Sequence, residues 1–481
     1  APKPTPRPRP TAAPGSAASY QYAPCNFDIP EGQVDGRTIS CGYLVVPENR
    51  LNPEGAKIRL FVAVLRATNA DEAADPVIYL AGGPGGSASR IDIQYFTATF
   101  AKQLQERRDL VFFDQRGVGL STPSLDCPEL RKYRYYPLEY DEAMTMCHDR
   151  VLKQSMDLSQ YTSEQNAADI VDLAAQLGYD SYNLYGVSYG TRLALTAMRD
   201  APQKIHSVVL DSAVPLQANF YAERGAALEQ TMYALFDACA AAPSCREFAP
   251  DLRGTFFNLL ARFESSPITV EVVNPYSEND SFYIEVDGDV FIEIVLNGFG
   301  VPGVIERLPA GIMQVSRGDY RMISTIASFS YGREIGIARG FYYTVQCAEE
   351  MPFNTPDTVK RPESAALGRL LDAATDSVEG MAATCAIWNV PAKGPHENAP
   401  VVSDIPTLVL AGQYDAITPP LYGHMATETL SRSTYVEFPW KGHAVIDEGC
   451  PMAIVVAFYD NPEAPPDTSC IASMPAPQFT R

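Results

Sequence analysis

The chain has 481 residues, more than one hydrophobic core usually spans, so an interrupted large domain or two domains are expected. Hydrophobic residues make up 46% and charged residues 20%, and no apolar run approaches the roughly eighteen residues of a membrane span; this composition excludes a disordered chain and a membrane-spanning helix. A formal net charge of -21 argues against nucleic-acid or anionic-membrane partners, which require a cationic face, and reads as a solvated surface.

The chain opens at Ala1 with alternating prolines, which block helix and ladder formation. Residues 1–19 are therefore expected to be a disordered, extended spacer, and the start reads as a mature terminus left after removal of a signal peptide. The ten cysteines, at 25, 41, 127, 147, 239, 245, 347, 385, 450 and 470, lack the tight C-x-x-C pairs of zinc sites. Disulfides fit them best and place the protein in an oxidising compartment, secreted or in the cell envelope. Pairing neighbours in order closes short to medium loops, but several connectivities satisfy the spacing.

Thr38 to Val46 and Ile58 to Leu65 are rich in β-branched and apolar residues around turn-forming segments, and read as a strand pair. Pro76 to Leu80 and Asp109 to Phe113 are short buried runs, each ending in a glycine-rich loop, with a helix-length polar stretch between them. That alternation belongs to a parallel α/β sheet. Glu164 to Leu177 follows a helical period, with Thr162 or Ser163 as N-cap and Gly178 as C-cap. Strand Ser181 to Tyr185 then leads into Gly186-Val-Ser188-Tyr-Gly190 and a helix from Tyr189 to about Arg199, a strand-turn-helix context that exposes a nucleophilic serine. Ser207 to Asp211 is a sixth strand. The alternation resumes only at Thr407 to Gly412 and closes with Tyr435 to Phe438, so residues 216–398 read as an inserted, mostly helical cap over a core of residues 20–215 and 399–481. The carboxyl edge of the sheet, where open α/β sheets bind ligands, is the expected place for that cap.

A serine hydroxyl needs an imidazole base, and the imidazole needs a carboxylate to hold its tautomer. With an elbow serine, the acid and then the histidine follow in chain order. Of five histidines, His148 precedes the serine, His206 lies on the wrong edge, His396 is in a Pro-Gly loop and His424 is in a helix-like stretch. His443, just past the last strand, is the expected base. Asp415, after the strand that ends at Leu410, is the expected acid. The oxyanion requires two preorganised N–H donors: Tyr189 supplies one, and Ala81-Gly-Gly-Pro-Gly-Gly-Ser87 offers amides at Gly82 and Gly83. That glycine run has neither a Walker lysine nor a dinucleotide spacing, and no cofactor or metal is implied.

Together, Gly82 to Ser87, Asp114-Gln-Arg-Gly-Val-Gly-Leu-Ser121, the Ser188 elbow, Asp415 and His443 resemble the proline iminopeptidase and tripeptidyl aminopeptidase family of α/β-hydrolase serine peptidases, its secreted bacterial members most closely. The resemblance implies an α/β-hydrolase core, Ser188 as nucleophile, Asp415 and His443 as its partners, and Gly83 with Tyr189 as oxyanion donors. The substrate implied is a peptide with a free N-terminus, cut by a monomer. Many relatives carry histidine where this chain has Ala81, which weakens transfer of proline specificity. Glu349 and Glu350, beside Cys347, are expected to bind the substrate ammonium. An esterase or amidase on the same triad, and a non-catalytic binding protein on the same scaffold, are the alternatives. Arg116 is expected to knot its loop to the core.

Overall fold

The computed structural model describes residues 17–69, 74–99, 101–131, 137–275, 280–301, 303–361, 377–474 and 478–480. Its strands are β1 (Ser19–Ala23), β2 (Ile39–Pro47), β3 (Lys57–Leu65), β4 (Ala74–Leu80), β5 (Arg108–Phe113), β6 (Tyr182–Val187), β7 (Ile205–Asp211), β8 (Ile268–Val273), β9 (Ser281–Val286), β10 (Thr407–Gly412) and β11 (Ser433–Phe438). All except β8 and β9 join one nine-stranded sheet in the order β1-β2-β3-β5-β4-β6-β7-β10-β11. From β5 to β11 neighbouring strands are parallel, and β1, β2 and β3 add an antiparallel edge.

Alternation along the strands supplies the two faces of this sheet. In β3, Leu60, Val62 and Val64 point into one core, while Phe61, Ala63 and Leu65 point into the other. Strands β5 and β10 are buried at every position, as parallel strands covered on both faces must be. Helices α1 (Ser163–Leu177) and α2 (Tyr189–Asp200) pack on the first of these cores. Thr162 caps α1 by accepting from Gln165 N, and Gly178 ends it in the left-handed conformation.

Between β7 and β10 lie α3 (Phe220–Ala241), α4 (Leu252–Ser265), the antiparallel β8–β9 hairpin, α5 (Gly288–Phe299), α6 (Leu308–Ser316), α7 (Arg321–Ile335), α8 (Arg339–Val345) and α9 (Val378–Trp388). Helices α3 to α7 and the hairpin share a core of their own, which includes Phe256, Phe263, Phe291 and Ile323. Phe341, Tyr343, Met381 and Trp388 instead join the core on one face of the main sheet. The insertion read from sequence as a single cap thus divides between two cores.

One further difference is local. β1 begins at Ser19, with Ala18 buried, so regular structure occupies the end of the segment assigned to the spacer; residues 1–16 of that spacer lie outside the described residues. The cysteines pair as 25–41, 127–147, 239–245, 347–385 and 450–470, in chain order. Among the described residues, no helix is long and apolar enough to cross a membrane.

Candidate active site

The loops that leave the carboxyl ends of β4, β5, β6, β7, β10 and β11 emerge on one edge of the sheet, and the candidate residues lie there. Ser188 joins β6 to α2 with φ 55° and ψ -124°, a strained conformation for a residue with a side chain. Its flanking glycines are required sterically: a Cβ at Gly190 would run into the Leu80 carbonyl, and one at Gly186 into the Gly190 carbonyl. The turn is pinned by Ser188 N, which donates to Asp211 O at 3.0 Å. Thr191 Oγ1 donates to Ser188 O at 2.6 Å and accepts from Val214 N at 2.7 Å.

Asp415 follows β10 and is fully buried. It accepts from Ile417 N (2.9 Å), Thr418 N (2.8 Å) and Thr418 Oγ1 (2.7 Å), and its Oδ2 lies 2.9 Å from His443 Nδ1. Burial opposes the charge, but the His443 ring and the bonds from Thr418 outweigh it and hold this carboxyl below its usual range. A carboxylate on Nδ1 leaves Nε2 as the proton acceptor, the tautomer a general base needs. The His443 side chain is 7% exposed, enough to meet a substrate. Ser188 Oγ makes no hydrogen bond to His443 among the described residues, as is common before substrate tightens such contacts.

On the other side of Ser188 stands the glycine loop. A Cβ at Gly82 would lie 3.0 Å from the Val187 carbonyl oxygen and 3.1 Å from Ser188 Cβ, a tight fit that shows how closely the loop approaches the nucleophile. Gly83 and Gly85 have φ 118° and 92°. The loop is bound to the insertion, since Ala338 N donates to Gly85 O at 2.9 Å and Ser87 N to Gly336 O at 3.2 Å. Tyr189 is the first residue of α2, where amides have no intrahelical acceptor and point toward incoming negative charge.

The other histidines are engaged elsewhere. His206 Nδ1 lies 2.7 Å from Asp75 Oδ2, and His396 lies 3.6 Å from Asp200. His148 packs on Trp388 and His424 on Tyr435. Arg116 is fully buried and grips Asp169 through Nε (2.6 Å) and Nη2 (2.9 Å), which makes it the knot expected from sequence.

Glu349 and Glu350 are corrected by the structure. Neither opens to a ligand: all four carboxylate oxygens have protein partners. Glu349 accepts from Ser163 N and Ser163 Oγ, both at 2.6 Å, and faces Arg192 Nε at 3.7 Å. Glu350 accepts from Phe220 N at 3.0 Å and Asn354 Nδ2 at 3.4 Å, and pairs with Arg192 Nη1 at 3.1 Å. Burial raises both carboxyls against the pull of Arg192. A substrate ammonium would have to displace these partners. The cluster reaches the elbow instead, because Ser163 Oγ also bonds Tyr189 Oη at 2.8 Å.

For a metal, the grouping at ligand separations among the described residues is Cys127, Glu129 and Cys147. Its two sulfurs form a disulfide and Glu129 grips Arg150, so its donors are spent.

Sequence reasoning missed two residues that shape this edge. Arg192 resembled an ordinary helix arginine, and Asp211 the end of a strand. A carboxylate at the carboxyl end of the strand beside the elbow was the available signal for Asp211.

An elbow serine and a buried carboxylate-histidine pair on the same edge of this sheet define a serine hydrolase of the α/β-hydrolase class. Residues 75–297 match the alpha/beta hydrolase fold family, and residues 372–470 match the TAP-like protein family; the chain has the α/β-hydrolase fold. It is 24% identical over 488 residues to serine protease Hip1 of Mycobacterium tuberculosis, covering 95% of this chain and 91% of the relative. It is 30% identical over 193 residues to the tripeptidyl aminopeptidase of Streptomyces coelicolor, covering 37% of this chain and 36% of the relative. Among solved structures, the proline iminopeptidase of Mycobacterium smegmatis aligns with 88% of this chain and 98% of its own, at 17% identity and a TM-score of 0.41.

Proposed function

We propose that this protein is a serine aminopeptidase of tripeptidyl or prolyl type, acting outside the cytoplasm as a monomer on peptides with a free N-terminus. Ser188 attacks the scissile carbonyl while His443 takes its proton. Asp415 holds the imidazole and stabilises the imidazolium, and the N–H groups of Gly83 and Tyr189 receive the oxyanion. Collapse of the tetrahedral intermediate gives an acyl-enzyme on Ser188, with the leaving amine protonated by His443. Water activated by the same base then releases the acyl peptide.

The observation that carries this reading is the 2.9 Å contact of the buried Asp415 with His443 on the edge where Ser188 is held strained. The peptide substrate is supported by likeness to a serine protease along nearly the whole chain and to a tripeptidyl aminopeptidase over part of it. Five disulfides support the oxidising location.

The test is a panel of Ala-Ala-Pro and Pro chromogenic amides with free and acetylated N-termini, run beside a simple acyl ester. Turnover of the free-amine peptides, lost on acetylation and abolished by Ser188→Ala, is expected. Equal turnover of free and blocked peptides, or turnover of the ester alone, would replace the aminopeptidase by an endopeptidase or an esterase.

A further inference from the structure

His443 sits in a loop whose backbone is left-handed at Trp440 (φ 64°) and again at Ala444 (φ 65°). Residues with side chains hold such conformations only where their surroundings impose them. Here three consecutive amides after the histidine are held by two residues at the end of β7. Ala444 N donates to Ser212 Oγ at 2.9 Å, Val445 N to Asp211 Oδ1 at 2.9 Å, and Ile446 N to Asp211 Oδ2 at 3.2 Å. Tyr185 Oη adds a fourth bond, to Asp211 Oδ2 at 2.8 Å.

Asp211 also faces the nucleophile, since its main-chain carbonyl accepts from Ser188 N. Ser212 has φ 60°, and its amide donates at 2.9 Å to Leu410 O, in the strand that leads to Asp415. One buried dipeptide therefore touches the elbow, the base loop and the strand of the acid.

We propose that Asp211 is a positioning residue that sets His443 against Ser188, with its side chain fixing the backbone at 445–446, its carbonyl fixing the elbow, and Ser212 completing the grip at Ala444. This rests on the reading of Ser188 and His443 as nucleophile and base. A carboxylate suits the place because its oxygens accept from every direction, and the donors that converge on it are two amides, a phenol and the Ser212 hydroxyl. Asparagine would turn its own donor toward one of them and leave it unpaired. The titratable groups facing Asp211 are Tyr79, Tyr95, Tyr185 and His443. Burial pushes all three tyrosines above their usual value, and it raises the Asp211 carboxyl as well, against the bonds from Val445, Tyr185 and Ile446.

The test uses the full chain with p-nitrophenyl acetate and a fluorophosphonate probe of Ser188. Asp211→Asn is expected to lower kcat by about 10- to 100-fold, the scale of a displaced catalytic group, with KM within about twofold of wild type. A folded Asp211→Asn with wild-type kcat overturns the proposal. If that variant does not fold, Ser212→Ala decides: a fall in kcat at constant KM supports the grip on the base loop, and an unchanged kcat overturns it. Failure of the wild-type protein to label at Ser188 would instead overturn the nucleophile reading itself.

Discussion

Arg192→Met tests the buried acid cluster beneath the elbow. Arg192 lies in the first turn of α2, with its side chain 3% exposed, and faces Glu349 at 1% and Glu350 at 5%. Methionine retains much of the apolar stem but removes the guanidinium, and leaves two carboxylates without a countercharge. It also strips the donor from the carbonyls of Glu349 (3.2 Å) and Glu397 (3.1 Å). Removing one partner of a buried ion pair costs about 3–5 kcal/mol, and burial of all three groups means no discount for solvent screening. That is a large share of a total stability of about 5–15 kcal/mol.

The pH dependence separates charge from hydrogen bonding. Burial raises both carboxyls in the folded protein even with Arg192 present. A group raised on folding contributes its full stability below the unfolded value, about 4.3 for glutamate, and that contribution is lost as pH rises through the folded value. Without Arg192 the folded values climb further. The deficit of the variant is therefore largest at pH 8 and smaller at pH 5, while the part owed to orphaned carbonyls is the same at both. Urea unfolding followed by far-UV circular dichroism at the two pH values measures this. A deficit below about 1 kcal/mol at pH 8, the scale of an exposed pair, or one that grows on acidification, would refute the reasoning.

Asp415→Asn is expected to reduce kcat by about 10⁴-fold through the wrong tautomer of His443, with a near-native circular dichroism spectrum; a loss under about tenfold in steady-state kinetics would remove Asp415 from its role. Ser188→Gly abolishes activity and relieves the strain at φ 55°, worth about 1–3 kcal/mol against about 0.5–1 kcal/mol of added chain entropy, so the thermal midpoint is expected to rise. A fall in that midpoint would mean that the elbow stores no strain. Replacing both Cys347 and Cys385 by serine opens a loop of sequence separation 38 beside Glu349, and is expected to cost about 3–4 kcal/mol, read as a lower urea midpoint without reductant.

The parts of this protein legible in its sequence are those fixed by local geometry. The elbow required glycine at 186 and 190 because neighbouring carbonyls leave no room for a Cβ, and helix α1 carried its own caps. Strand positions followed from buried apolar runs, and the order of serine, acid and histidine followed from the fold. What stayed hidden depends on partners far along the chain. Glu349 meets Ser163 across 186 residues, and Val445 meets Asp211 across 234; no spacing rule announces such pairs. A charged residue in a sequence looks the same whether it faces solvent, a ligand or a buried arginine, which is why Glu349 and Glu350 read as ligand groups. The β8–β9 hairpin was hidden differently. Its alternation of buried Val270, Val272, Ile284 and Val286 with exposed neighbours was present, but short.

The insertion touches every loop that the proposed chemistry needs, and this bears on how the enzyme closes over a substrate. Gly336 and Ala338 hydrogen-bond the glycine loop that bears Gly83. Phe299, at the end of α5, stacks on Tyr414 beside Asp415, and a Cβ at Gly442, next to His443, would run into the Phe299 carbonyl. The Glu349–Glu350 turn grips Arg192 in the helix of the nucleophile. A cap that swung away as a rigid body would release the oxyanion loop, the acid loop and the elbow helix together. Substrate entry is therefore expected through side-chain and loop motion at fixed cap position, and a crosslink between the insertion and the core remote from these loops should leave kcat within about twofold of wild type, whereas hinge opening of the cap, an event of microseconds to milliseconds, would be arrested by it.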